Sequence, residues 1–130
     1  MKCVTFLLIL ALTASCTTTP APEDITNVSQ ERLFGFTKPS DAHLVILAGA
    51  SLGSDCTVRV SIDEKPTARF FAAEVAHFGL TFGSHTLSAR TSDQCFVQWA
   101  QEISISVKAG DALIIRVDKA GLVRTELLMP

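Results

Sequence analysis

Cys56, Val58, Val60 and Ile62 alternate with Thr57, Arg59 and Ser61, the period of two that a strand with one buried and one solvated face requires. His43–Ala48 is instead a continuous apolar run stopped by Gly49, which fits a strand covered on both faces or one at the centre of a sandwich. Turn residues punctuate the rest of the chain. Asp63-Glu64-Lys65-Pro66 reverses its direction, so that Thr67–Phe71 runs back along the preceding strand. The same reading predicts a second hairpin, in which Val75–Phe82 passes through Gly83-Ser84 into His85–Thr91, with Leu87 and Ala89 on one face. Cys95, Val97, Trp99, Ile103, Ile105 and Val107 share one parity, which predicts one long bent strand or two. After a turn in which Gly110 offers positive φ, Ala112–Asp118 and Leu122–Leu128 form a last hairpin across Lys119-Ala120-Gly121.

Eight or nine short strands with turn signals about every 8 to 12 residues predict an all-β, small antiparallel sandwich. Its expected interior is Val58, Val60, Ile62, Leu87, Val97, Trp99, Ile103, Ile105, Leu113, Ile115 and Val117. Such a filling leaves no enclosed cavity of the roughly 300 Å³ that small-molecule sites use. The chain has 130 residues, 48% apolar and 18% charged, enough for one core and no more.

The first residues break this pattern. Met1 and Lys2 precede an apolar run, Val4–Leu12, and the small residues Thr13, Ala14 and Ser15 lead to Cys16. The run is shorter than the roughly 20 residues that span a bilayer and reads as a secretory signal peptide over residues 1–15. Thr13-Ala14-Ser15-Cys16 resembles the bacterial lipobox, although Leu12 stands one step further from the cysteine than is usual. The resemblance implies that Cys16 becomes the lipidated first residue of the mature chain; the alternative is an ordinary cleaved signal. Thr17 stands where Asp acts as an inner-membrane retention signal in enteric lipoproteins, so the resemblance implies a lipid anchor on the periplasmic face of the outer membrane. Residues 16–30, rich in Thr and Pro at their start, read as the lipidated cysteine and a flexible tether that cannot offset its ordering entropy by burial. Asn27 is a candidate cap for one helical turn there. The sandwich domain is expected over residues 31–130.

Cysteine arithmetic supports the lipid. With Cys3 removed, Cys16, Cys56 and Cys95 remain, an odd number for an oxidising compartment. Lipidation of Cys16 leaves Cys56 and Cys95 as a pair, and both share parity with inward positions, so a Cys56–Cys95 disulfide is expected. Loss of Lys2 leaves ten basic against thirteen acidic residues. That balance argues against nucleic-acid binding and against any gain from anionic lipid headgroups, so the acyl chains must do the holding.

Three segments, VSIDEKPTARF, FGLTFGSHTLSAR and ISVKAGDALIIRV, resemble the PEGA-like and related bacterial lipoprotein domains, with Gly83, His85 and Gly110 matching the turns. Glu64 stands where that family has Gly, and Phe82 where it has Pro. The resemblance covers about half of the chain and implies an Ig-like β-sandwich that serves as an accessory or surface-binding module.

Candidate chemistry is sparse. His43, His77 and His85 lack the spacing of a metal motif, so no metal or cofactor is expected; His77 and His85 are placed to meet across the second hairpin. Ser51 and Ser54 lie in a turn without a nucleophile elbow or phosphate-loop lysine. Asp63 and Glu64 adjoin in a turn rather than facing across a cleft. No catalytic residue is assigned, and the chain reads as a non-enzyme without a small-molecule substrate. Phe70 and Phe71 are adjacent, so one must point outward, and Phe96 is out of parity with Cys95 and Val97. Phe70, Phe71 and Phe96 are therefore the candidate binding surface, unless a loop or the tether covers them. The expected function is an envelope-anchored structural or accessory module that binds a protein partner in the periplasm. The alternative is an inhibitor or immunity lipoprotein that neutralises a toxin or hydrolase.

Overall fold

The computed structural model describes residues 24–128, as nine strands. These are β1 (Thr26–Asn27), β2 (Ala42–Ala48), β3 (Thr57–Ile62), β4 (Lys65–Phe71), β5 (Glu74–Leu80), β6 (Gly83–Thr91), β7 (Ala100–Val107), β8 (Ala112–Asp118) and β9 (Gly121–Leu128). Single 3-10 turns occupy Gln30–Arg32 and Ala50–Leu52. One sheet has the order β9-β8-β2-β5-β1 and the other β4-β3-β6-β7. Leu44, Ile46, Phe78, Leu113 and Ile115 from the first sheet and Val58, Val60, Ile62, Phe70 and Leu87 from the second belong to one buried core. The fold is an all-β sandwich.

Alternation places these residues as expected on β3 and β8. On β2 the unbroken apolar run hides the same period: Leu44 and Ile46 are fully buried, whereas Val45 and Leu47 on the outer side are only half-buried. The outer side stays apolar because β2 is the central strand, flanked by β8 and β5.

Three expectations are corrected. Strands β5 and β6 do not form a hairpin, because β5 pairs with β2 and β6 with β3 and β7, in different sheets. Thr81 and Phe82 carry the chain across: Phe82 N–H donates to Asp41 Oδ2 at 3.1 Å, and Gly83 adopts φ 119°. The sandwich is not wholly antiparallel, since β2 runs parallel to β8 from His43↔Ala112 to Ala48↔Val117, and β1 runs parallel to β5. The long parity run from Cys95 forms a strand only from Ala100 onward; Val97 is 45% exposed, and Trp99 and Ile103 are partly buried.

The domain also begins earlier than residue 31. Thr26 N–H donates to Ala73 O, Val28 N–H donates to Val75 O, and Val28 is buried in the core. Ser29, not Asn27, precedes the 3-10 turn, without a side-chain cap bond. The first fifteen residues and Cys16 lie outside the described residues. Among the described residues no helix is long and apolar enough to cross a membrane.

Strand β4 shows how a local irregularity is satisfied. Pro66 lacks an N–H, and the register slips between Val60↔Ala68 and Ser61↔Pro66. The buried Thr67 hydroxyl fills the gap by accepting Ile62 N–H at 3.1 Å and donating to Lys65 O at 3.0 Å. Phe34 N–H donates to Thr67 O at 2.8 Å and Leu33 bridges Ala68, so the edge of β4 is partly covered.

Candidate functional site

Strand β3 is fastened at both ends. At its start Cys56 is disulfide-bonded to Cys95, 39 positions further along the chain, with Cα atoms 4.4 Å apart. Both cysteines are buried; for Cys56 this continues the alternation of β3, whereas Cys95 lies in a loop where the expected strand parity does not hold. At its end, Asp63 and Glu64 make a two-residue turn with φ 52° and 66°, the left-handed pair that suits a tight hairpin. Asp63 Oδ1 accepts Thr86 N–H at 2.9 Å, and Asp63 Oδ2 lies 2.7 Å from His85 Nδ1.

His85 Nε2 lies 2.7 Å from Thr81 O. A carbonyl only accepts, so Nε2 carries a proton; the ionised Asp63 carboxylate likewise calls for a proton on Nδ1. Both nitrogens of the buried ring thus face acceptors, an arrangement that favours the protonated ring, and the ring ties the β5–β6 crossing to the β3–β4 turn. Burial opposes that charge, but the bonds to Asp63 and to Thr81 O, with the charge of Asp63, outweigh it and raise the His85 pKa above 6.5. Burial likewise pushes Asp63 up, while the His85 and Thr86 bonds and the charges of His85 and Lys65 pull it to a net value below 3.8. His85 thus has a structural partner, and it is not His77.

His77 meets His43 instead. Their rings stack at 5.1 Å with Nε2 of His43 3.0 Å from Nδ1 of His77. Gly79 stands opposite His43, and the Lys38–Ser40 backbone lies so close over Gly79 that a Cβ there would fall 2.1 Å from Lys38 O. The two rings line an open depression of about 320 Å³ with Pro39 and Phe78. No third His, Cys, Asp or Glu joins them among the described residues, and two ligands fall short of the four that zinc takes.

The three candidate phenylalanines separate. Phe70 is fully buried and belongs to the core, so its candidacy as surface is corrected. Phe71 is the outward neighbour, 38% exposed, with the Arg32 guanidinium 4.8 Å from its ring centroid. Phe96 is fully exposed. It follows Cys95 on a loop rather than a strand, beside a small depression lined also by Leu52, Val97 and Lys119. Phe34 and Phe82, which parity did not single out, are also more than half exposed.

Arg32 and Glu74 form a pair that spacing alone did not reveal. Two charge-assisted bonds of 2.6 and 2.7 Å join them, Glu74 Oε1 also accepts Phe71 N–H, and Arg32 donates to Arg69 O. The Glu74 bond raises the Arg32 pKa against the cost of burial, while burial of Glu74 is outweighed by its bonds to Arg32 and Phe71, which lower its pKa. No family model matches the chain, and no curated protein does; the PEGA-like resemblance rests on the residues that suggested it.

Proposed function

We propose that the protein is an envelope-anchored, non-catalytic lipoprotein that binds a protein partner in the periplasm through the Cys95–Val97 loop. The observation that carries this reading is Phe96, fully exposed one residue after a disulfide-bonded cysteine. An aromatic side chain held this way offers a large apolar contact, and the covalent anchor reduces the entropy lost when the loop is ordered by a partner. Val97, 45% exposed, extends the apolar contact. The lipidated Cys16, the outer-membrane address and the family likeness belong to this proposal and rest on the sequence.

A photo-crosslinking residue at position 96, compared with one at Phe71, tests it in intact envelopes. Adducts with resident envelope proteins at position 96 alone support the accessory role. A secreted hydrolase or toxin as the adduct favours the inhibitor alternative. If position 96 yields no adduct, the loop is not the contact. Intact-mass measurement of the mature N-terminus tests lipidation separately.

A further inference from the structure

The exposed side of the four-stranded sheet carries Arg69, Arg59 and Arg90 directly abreast, since Arg59 pairs in register with Arg69 on β4 and with Arg90 on β6. All three are exposed, and none has an ion-pair partner among the described residues. Like charges opposite one another on a sheet destabilise it, so this row is a cost to the fold. Around it the same face offers hydroxyls, among them Ser61 and Ser88, which line a depression of about 410 Å³ with Arg59 and Arg90. Two carboxylates border the row: Glu102, opposite Ser88 on β7, and Asp93 in the loop after β6, which lines a second depression of about 420 Å³ with all three arginines; neither forms an ion pair with the row among the described residues. Guanidinium forks among hydroxyls suit phosphate oxygens, whereas the core of a protein contact is usually aromatic and poor in serine.

The chain's route indicates which phosphates are in reach. Thr26 N–H bonds Ala73 O, two residues beyond the outward Phe71 and four beyond Arg69. The chain thus enters at the edge of the five-stranded sheet and reaches the edge of the arginine-bearing sheet at Arg32, which donates to Arg69 O. Thr26 lies ten positions after Cys16, a reach of at most roughly 35 Å.

We infer that the Arg69-Arg59-Arg90 row docks on the anionic phosphates of the membrane surface from which the domain is suspended. This rests on the anchoring part of the proposed function. It also revises the expectation drawn from net charge: the chain is acidic as a whole, but this face is basic, and attraction over a Debye length of about 8 Å depends on the local face.

The full chain is reconstituted in vesicles of phosphatidylcholine alone and of equimolar phosphatidylcholine and phosphatidylglycerol, and arginine modification by phenylglyoxal is followed by peptide mass. Arg59, Arg69 and Arg90 are expected to react about fivefold more slowly on the anionic vesicles, the discrimination that one basic side chain supplies at such a surface. Arg116 and Arg124, exposed on the other sheet, should be unchanged. Arg59→Ala should restore much of the reactivity of its two neighbours, as should high salt. Equal rates on both vesicles, or equal slowing of all five arginines, overturn the inference. Protection by soluble polyglutamate without protection by anionic vesicles also overturns it and assigns the face to an acidic polypeptide. If intact mass shows no acyl group and the chain floats with neither vesicle, the anchoring reading fails; slowing of the row by added phosphatidylglycerol vesicles then still decides the docking.

Discussion

The two ends of β3 are held by opposite chemistries. At one end a buried disulfide joins Cys56 to the loop before β7; at the other, the buried, titratable His85 ring joins Asp63 to the chain crossing between the sheets. The covalent end is indifferent to pH and sensitive to reductant, and the ionic end is the reverse. The difference bears on the contact loop proposed above: Phe96 sits beside the bond that does not titrate.

The largest effect is expected from the covalent end. The chain-entropy model assigns about 4 kcal/mol to a closed loop of this length, so Cys56→Ser/Cys95→Ser should lose close to that in urea unfolding, and reductant should reproduce the loss in the wild type. A loss below about 1 kcal/mol would break the comparison, because both ends would then be held by packing alone.

His85→Ala comes next, with a loss of about 1–3 kcal/mol from leaving Asp63 and Thr81 O without their donor. The pH dependence identifies the cause. A raised histidine pKa contributes stability that is fully present below 6.5 and fades as pH rises through the folded value. A lowered Asp63 pKa contributes stability present above 3.8 and lost as pH falls through its folded value. Urea midpoints of the wild type should therefore be highest between these limits and decline on either side, and the alkaline decline should flatten in His85→Ala. An unchanged alkaline decline in the variant would mean that His85 is not the titrating group.

A smaller, stabilising change sharpens the ionic end. Glu64 occupies left-handed backbone at φ 66°, which costs a non-glycine residue roughly 1–2 kcal/mol. Glu64→Gly should gain up to about 1 kcal/mol after the greater freedom of glycine in the unfolded chain is deducted. A lower thermal midpoint would show that the Glu64 side chain makes a contribution of its own. The smallest stability effect belongs to Phe96→Ser, expected to stay within about 0.5 kcal/mol of the wild type while partner crosslinking is lost. Marked unfolding of that variant would move Phe96 from contact surface to structure.

How much of this fold is legible in the sequence depends on the range of the interactions. Val58, Val60 and Ile62 could be assigned to the core because alternation is local, and the Asp63-Glu64 reversal needs only neighbours. The disulfide was legible from the cysteine count and from the parity of Cys56, whereas the parity assigned to Cys95 reached the right pairing through a strand that does not form before Ala100. The β5–β6 crossing was not, since Gly83-Ser84 after a strand reads the same whether the next strand returns beside it or crosses to the other sheet. The bond from Phe82 to Asp41 that accompanies the crossing comes from 41 positions away in sequence. Likewise, Arg59, Arg69 and Arg90 each read singly as a solvated position; only the register of three strands makes them a row.

The short strand β1 has a mechanical consequence. If the domain hangs from an acylated Cys16 while a partner holds it elsewhere, tension enters at residue 26. The first contacts it meets are the Thr26 and Val28 backbone bonds to Ala73 and Val75, then the forked Arg32–Glu74 pair. Peeling these from the edge of β5 would lengthen the leash by several residues while leaving β2 to β9 paired. The sandwich would thus carry its own slack, released under pull and rewound at rest.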